Sequence, residues 1–206
     1  MKQGSDEWFA FRLGNVSASR VADVMAKTKS GPAATRTNYM MELLCQRLTG
    51  QREEGFTSAA MHRGTDLEPV ARTVYEMQSG LTVVESGAFA HQGIFGFVAS
   101  PDGLVGDDGL LEIKCPNTAQ HIDFMRRKEP DGRYQWQMLA QMACTDRAWC
   151  DFVSFDDRLP EALQFRKIRF MRDQARIDEM EKEVKKFLKE LEQLTEDMMN
   201  EAAKYE

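Results

Sequence analysis

Residues Ser100–Pro116 read SPDGLVGDDGLLEIKCP. Asp102 stands before a glycine, at the end of one short apolar run. Glu112 and Lys114 follow on the next run. Strand side chains alternate with a period of two, so Glu112 and Lys114 share one face and Leu111 and Ile113 the other. Gly106-Asp107-Asp108-Gly109 reads as a hairpin turn. Such a hairpin returns Asp102 to the side of Glu112 and Lys114, so that two carboxylates and an ammonium converge at a sheet edge.

A plainer account exists for each part. Pro-Asp-Gly is an ordinary turn, and Glu-x-Lys on a strand is often a solvated face. The apolar flank of Leu110, Leu111 and Cys115 weighs against it, because a strand that apolar is buried and buried charge needs a partner or a task. Two carboxylates and a backbone carbonyl make a hard-oxygen site suited to Mg²⁺. Such an ion polarises a phosphoryl oxygen and acidifies a bound water, and a nearby lysine stabilises charge in the transition state. Phosphodiester hydrolysis needs this set.

Upstream, Ser17–Lys27 reads as a short helix with Ser17 or Ser19 as N-cap, and Lys29–Ala34 as a loop. Thr37–Leu48 is helical and ends in Gly50. A further helix runs from about Ser58 to Gln78 and closes at Gly80. Short strand-like runs follow at Leu81–Glu85, Gly87–His91, Ile94–Ala99, Gly103–Val105 and Leu110–Cys115. Helical pattern resumes near Ile122–Lys128 and Tyr134–Ala143. Strands are expected at Trp149–Phe155 and Gln164–Phe170. Ile177, Met180, Val184, Phe187, Leu191, Leu194 and Met198 then form a heptad seam, which lies either on its own domain or against another subunit. The expected class is α/β, with a central mixed sheet flanked by helices and a long C-terminal helix. Residues 1–206 read as one domain, a 5–170 core followed by an amphipathic helix over 171–206.

The 206 residues are 42% hydrophobic and 29% charged, a globular balance. No run approaches the length of a membrane span, and the opening MKQGSDEWFAFRLG has no apolar segment of a secretory signal. Four cysteines without a CxxC pair, and three histidines, speak against a zinc or iron–sulfur site and fit a reducing cytoplasm. No Gly-rich phosphate-binding fingerprint occurs. The net charge of −6 disfavours non-specific binding to a polyanion. Its distribution is uneven. Residues 1–50 carry seven basic against four acidic side chains, and residues 171–206 seven against eleven.

The Asp102, Glu112 and Lys114 string resembles the PD-(D/E)XK nuclease superfamily, and SPDGLxxxxGLLEIKCP is similar to its phage lambda exonuclease branch, the YqaJ-type viral recombinases. RLGNVSAS at Arg12–Ser19, RGTDLEPVA at Arg63–Ala71 and YQWQMLAQM at Tyr134–Met142 match in the same order. The resemblance covers roughly Glu7 to Phe155 and implies a restriction-endonuclease-like core. By it, Asp102, Glu112 and the carbonyl of Ile113 hold Mg²⁺, two ions per site with Mn²⁺ as a possible substitute, and Lys114 is the catalytic lysine. Glu68 serves the second ion or its water, although Thr65–Glu68 taken alone reads as a capping box. Gln137 orients the attacking water, and Gln141 lies one turn on along the same helix face. Arg12, Ser19 and Ser100 form the pocket for a 5′-phosphate. A guanidinium fork and a helix N-terminus at Ser19 suit that anion. Tyr134 and Trp136 read as core residues.

The resemblance further implies a 5′-to-3′ exonuclease on double-stranded DNA ends that prefers a 5′-phosphate, releases mononucleotides and leaves a 3′ overhang. It implies a homotrimer, a Red beta-like single-strand annealing protein as partner, no membrane, and a phage or prophage product in the bacterial cytoplasm. The alternatives are a PD-(D/E)XK endonuclease and a non-catalytic DNA-end-binding module.

Overall fold

A computed structural model describes residues 1–29, 31–52 and 58–205. In chain order the elements are α1 (Asp6–Arg12), β1 (Val16–Ser17), a 3₁₀ turn (Ala18–Arg20), α2 (Val21–Met25), β2 (Lys27–Thr28), β3 (Gly31–Pro32), α3 (Ala34–Thr49) and α4 (Ala59–Ser79). There follow β4 (Val83–Val84), β5 (Phe89–Ala90), β6 (Phe97–Ala99), β7 (Gly103–Val105), β8 (Gly109–Lys114), α5 (Thr118–Arg127), α6 (Gly132–Thr145), β9 (Trp149–Phe155), α7 (Glu161–Gln164), β10 (Phe165–Met171) and α8 (Gln174–Ala202).

The main sheet has the order β10-β9-β8-β7-β4. Its central pair, β8 and β9, is parallel, and the outer pairings are antiparallel. The mixed sheet expected from the sequence is therefore present. A smaller sheet has the order β1-β6-β5, and β2 pairs with β3 in a two-stranded ribbon, although β3 falls where the sequence reads as a loop.

Alternation along β8 decides which layer covers which face. Leu110 joins the large core built from α2, α3, α6 and α8, with Cys150 and Phe152 of β9 beside it. Leu111 and Ile113 turn the other way, onto Ala71 and Tyr75 of α4 and Val153 of β9. Glu112 shares the parity of Leu110 and is fully buried under α6. A Cβ at Gly109 would run into the Trp149 indole, so the ring would have to move to admit one.

The helix ends obey their caps. Ser58 accepts a hydrogen bond from the Met61 amide at the start of α4, and Gly50 and Gly80 close α3 and α4 in the left-handed region, φ +66° and +68°. One sequence expectation fails here, and one plainer alternative falls away. The Ser17–Lys27 helix is a strand residue pair, a 3₁₀ turn and one short helix. Ser17 belongs to β1, paired with Val98 of β6, and its side chain caps nothing. Thr65–Glu68 is no capping box, because α4 has already begun at Ala59.

On α8 the seam divides. Ile177, Met180, Val184, Phe187 and Leu191 are buried on the chain's own core, whereas Leu194 and Met198 are 38% and 47% exposed. Phe187 stacks on Tyr39 of α3 at 5.7 Å, and the Arg36 guanidinium lies 5.0 Å above it. No helix among the described residues is long and apolar enough to cross a membrane.

Candidate active site

The β7–β8 hairpin delivers the three residues singled out in the sequence to one place. The Asp102 amide donates to the Leu111 carbonyl at 3.1 Å, and Asp102 Oδ2 accepts from the Ile113 amide at 2.7 Å. Glu112 Oε1 receives Lys114 Nζ at 2.5 Å and Gln137 Nε2 at 2.6 Å. Gln141 Nε2 donates to Glu112 Oε2 at 2.6 Å. Gln137 and Gln141 are four apart on α6 and so share the face turned to β8. Gln135 points away, to the Pro130 carbonyl and Arg176.

The charges in this cluster shape one another. Burial, then repulsion from Glu112, pushes the Asp102 carboxyl well above the usual carboxylate range, and Glu68 adds to it. Glu68 itself is raised, first by burial and then by Glu112, while Arg72 at 3.1 Å opposes the shift. Burial alone would lower Lys114, but Glu112 and Asp102 outweigh it, so this lysine is held as the ammonium. The Cys115 thiol beside the site is pushed up to about 12, mainly by burial, and is inert as a nucleophile.

The donor set fits a hard divalent ion. All its ligating atoms are oxygens, and the repulsion that the buried Glu112 exerts on the neighbouring Asp102 carboxyl is relieved by a cation between them. Among the described residues no three His, Cys, Asp or Glu side chains gather closely enough to hold an ion alone.

Arg12, Ser19 and Ser100 also come together. Arg12 donates to Ser100 Oγ and to Ser19 Oγ, each at 3.4 Å. Ser19 sits inside the one-turn 3₁₀ segment with its hydroxyl 3.3 Å from that of Ser17, not at an α-helix N-terminus. The anion-attracting part of this cleft is thus the guanidinium with its hydroxyls, and the helix-dipole argument for Ser19 does not apply. Arg12 is buried enough to disfavour its charge and has no carboxylate partner among the described residues. The cleft around it measures about 880 Å³ and includes Arg20, Arg52 and Tyr39.

Sequence reasoning missed Trp8. Its indole donates to Ser100 Oγ at 2.9 Å and its face carries the Arg12 guanidinium at 4.3 Å. The available signal was the spacing of Trp8 and Arg12, four apart on α1. Gln3 was missed as well. Its amide donates to the Pro101 carbonyl at 3.1 Å, which Ser86 Oγ also binds at 3.0 Å. Tyr134 and Trp136, expected in the core, pack against it while partly buried. The Tyr134 ring lies 5.4 Å from Lys114 Nζ.

A mixed sheet carrying Asp-(x)-Glu-x-Lys at its centre, with a basic pocket one residue from the aspartate, defines a nuclease of the PD-(D/E)XK type. Residues 7–148 match the YqaJ-like viral recombinase domain, and the chain belongs to that family. It is 56% identical to the alkaline exonuclease LHK-Exo of Laribacter hongkongensis, covering 98% of this chain and 100% of that one, with a TM-score of 0.92. The same enzyme solved with dAMP superposes with a TM-score of 0.93. A phage-related exonuclease from Haemophilus somnus 129PT, 18% identical over 89% of this chain and 96% of its own, has the same fold at a TM-score of 0.74. No curated protein matches the chain.

Proposed function

We propose that this enzyme is a Mg²⁺-dependent 5′-to-3′ exonuclease on double-stranded DNA ends, selective for a 5′-phosphate, which releases mononucleotides and leaves a 3′ single-stranded overhang. The observation that carries the reading is the short link between two sites. Ser100, in the Arg12 pocket, and Asp102, beside Glu112, are separated only by Pro101. A terminal phosphate seated at Arg12 thus leaves the neighbouring phosphodiester within reach of the carboxylates.

Asp102, Glu112 and the Ile113 carbonyl would hold the divalent ion, with Glu68 serving a second ion or its water. The bound ion supplies Lewis-acid stabilisation of phosphoryl charge and a more acidic water. Lys114, held protonated, donates hydrogen bonds to the attacked phosphate or to the water and does not act as the base. Gln137 keeps Glu112 oriented and stands within one side chain of the place where a water would attack. Arg12 binds the end as a fork, with Trp8 stiffening it from behind.

The fuller expectation is a homotrimer that passes its overhang to a Red beta-like annealing protein in the bacterial cytoplasm, encoded by a phage or prophage. The exposed Met198 and Met199 on the last turns of α8 and the 98% exposed Phe95 support contacts beyond the chain. The four cysteines are free thiols, which suits a reducing compartment.

The test is degradation of linear duplex DNA with Mg²⁺, comparing 5′-phosphorylated with 5′-hydroxyl ends, with covalently closed circles alongside. Loss of the linear duplex alone, faster from the phosphate, is the expected result. Cutting of circles would make the enzyme an endonuclease, and no cleavage would leave an end-binding module.

A further inference from the structure

Glu112 is fully buried, and the chain itself occupies most of its acceptor capacity. An ionised carboxylate offers about four lone-pair sites on two oxygens. Lys114 and Gln137 take both sites of Oε1. Gln141 takes one site of Oε2. One site, on Oε2, is left for an incoming cation.

Gln141 is a costly residue for this position unless the hydrogen bond matters. It is fully buried, and its neighbours on α6, Met138, Leu139, Ala140 and Met142, are apolar and fully buried too. Its Oε1 is a buried acceptor with no partner. A group left in that state is destabilising by about 1–3 kcal/mol. Methionine, of nearly the same length and shape, would fill the space without that penalty. What methionine could not do is donate to Oε2.

We propose that Gln141 is a positioning residue that limits Glu112 to single-point attachment of the divalent ion and fixes the plane in which its one free lone pair lies. Gln137 alone could not do this. It binds Oε1, and a carboxylate pinned at one oxygen still turns about that contact. Two amides from successive turns of one helix, one on each oxygen, remove the rotation. Lys114 then shares only the Oε1 side, so its ammonium stays clear of the remaining site. This inference rests on the proposed metal-dependent reading of Asp102 and Glu112.

The experiment measures Mn²⁺ binding by calorimetry in the full chain, wild type beside Gln141→Met and Asp102→Ala, with melting temperature recorded for each. The expected result is Mn²⁺ binding by the wild type that Asp102→Ala abolishes, and a loss of about tenfold or more in affinity in Gln141→Met. Gln141→Met removes the unpartnered acceptor but also takes the donor from the buried Glu112 Oε2, so its melting temperature serves as the check that the variant is folded at the assay temperature. Its cleavage of linear duplex should recover toward the wild-type rate as Mg²⁺ is raised, which a merely structural defect would not do. Should Gln141→Met fail to fold, Gln141→Asn withdraws the amide by one methylene and is expected to show the same loss. Unchanged Mn²⁺ affinity in a folded Gln141 variant, with Asp102→Ala still abolishing binding, overturns the role of Gln141 and leaves the site intact. A wild type that binds no Mn²⁺ overturns the metal-dependent reading and the inference with it.

Discussion

Replacing Lys114 by alanine removes the ammonium that contacts Glu112 at 2.5 Å and feels the charge of Asp102. Cleavage of linear duplex should fall by about 10²–10⁴-fold, the range for a positioned proton-handling or charge-stabilising group, while circular dichroism stays native. Arg12→Lys is the sharper probe of the pocket. A lysine keeps the charge but cannot reach Ser19 and Ser100 together as the guanidinium does. The preference for a 5′-phosphate over a 5′-hydroxyl end should drop by about tenfold or more, since a charge-assisted hydrogen bond contributes about 1.5–3 kcal/mol. An unchanged ratio of the two rates would remove Arg12 from end recognition. Asp102, Glu112 and Lys114 were legible because strand parity and a hairpin are local rules. Trp8 was not, because its role is a contact with Ser100 across most of the chain's first half. Ser19 was misread for a related reason. Its grouping with Arg12 was expected, but a serine before an apolar run looks like a cap, and only tertiary structure shows it inside a one-turn 3₁₀ segment with its hydroxyl near that of Ser17.

Among the elements, α8 and β9 give the clearest expectations. The heptad spacing located the α8 seam, but spacing says nothing about what lies opposite. The stacked Tyr39 and Phe187 rings answer that for the middle of the helix. Phe187→Ala should destabilise the fold by about 3–5 kcal/mol in urea unfolding, as expected for a fully buried aromatic. Met198→Ser, on the exposed end, should leave stability within about 0.5 kcal/mol. Strand β9 carries a different vulnerability. Asp151 is buried and bonded to Arg169 and Tyr75, and Asp156 at its end to Arg158, Arg63 and Thr118. Burial would raise both carboxyls, yet these partners hold both below the ordinary 3.8. A depressed folded-state pKa contributes stability above the unfolded value and loses it as pH falls. The melting temperature should therefore decline from about pH 5 downward. Asp102 and Glu68, both raised, act in the opposite sense, so the decline is compared with that of Asp156→Asn, and an equal decline in the variant would show that the Asp156 ion pairs contribute nothing. Neither cluster was visible in the sequence, since Asp151 and Arg169 meet only through the β9–β10 register.

For the whole molecule, composition alone points the wrong way. A net charge of −6 disfavours a polyanion, yet the cleft at Arg12 also holds Arg20 and Arg52. Acidic side chains are concentrated in the last helix, so the sign of the total does not report the charge that lines the cleft. If copies assemble as proposed, light scattering should give three times the monomer mass of 23.5 kDa. A clean monomer at working concentration would count against a ring. Cleavage should also slow as salt rises, because phosphate contacts release counterions.

The Ser100-Pro101-Asp102 tripeptide has a consequence for product size. Two residues of extended chain reach only ~7 Å, comparable to the gap between neighbouring phosphates on one strand. Proline fixes the middle torsion, and Gln3 and Ser86 clasp its carbonyl. Under the proposed polarity the tripeptide is a gauge: with the terminal phosphate seated at one end, only the next linkage stands at the other. Inserting a glycine after Pro101 should then lengthen or blur the product from a single mononucleotide, even where the carboxylates still hold their ion. Step length would thus be written into the backbone, independent of how deep the pocket is.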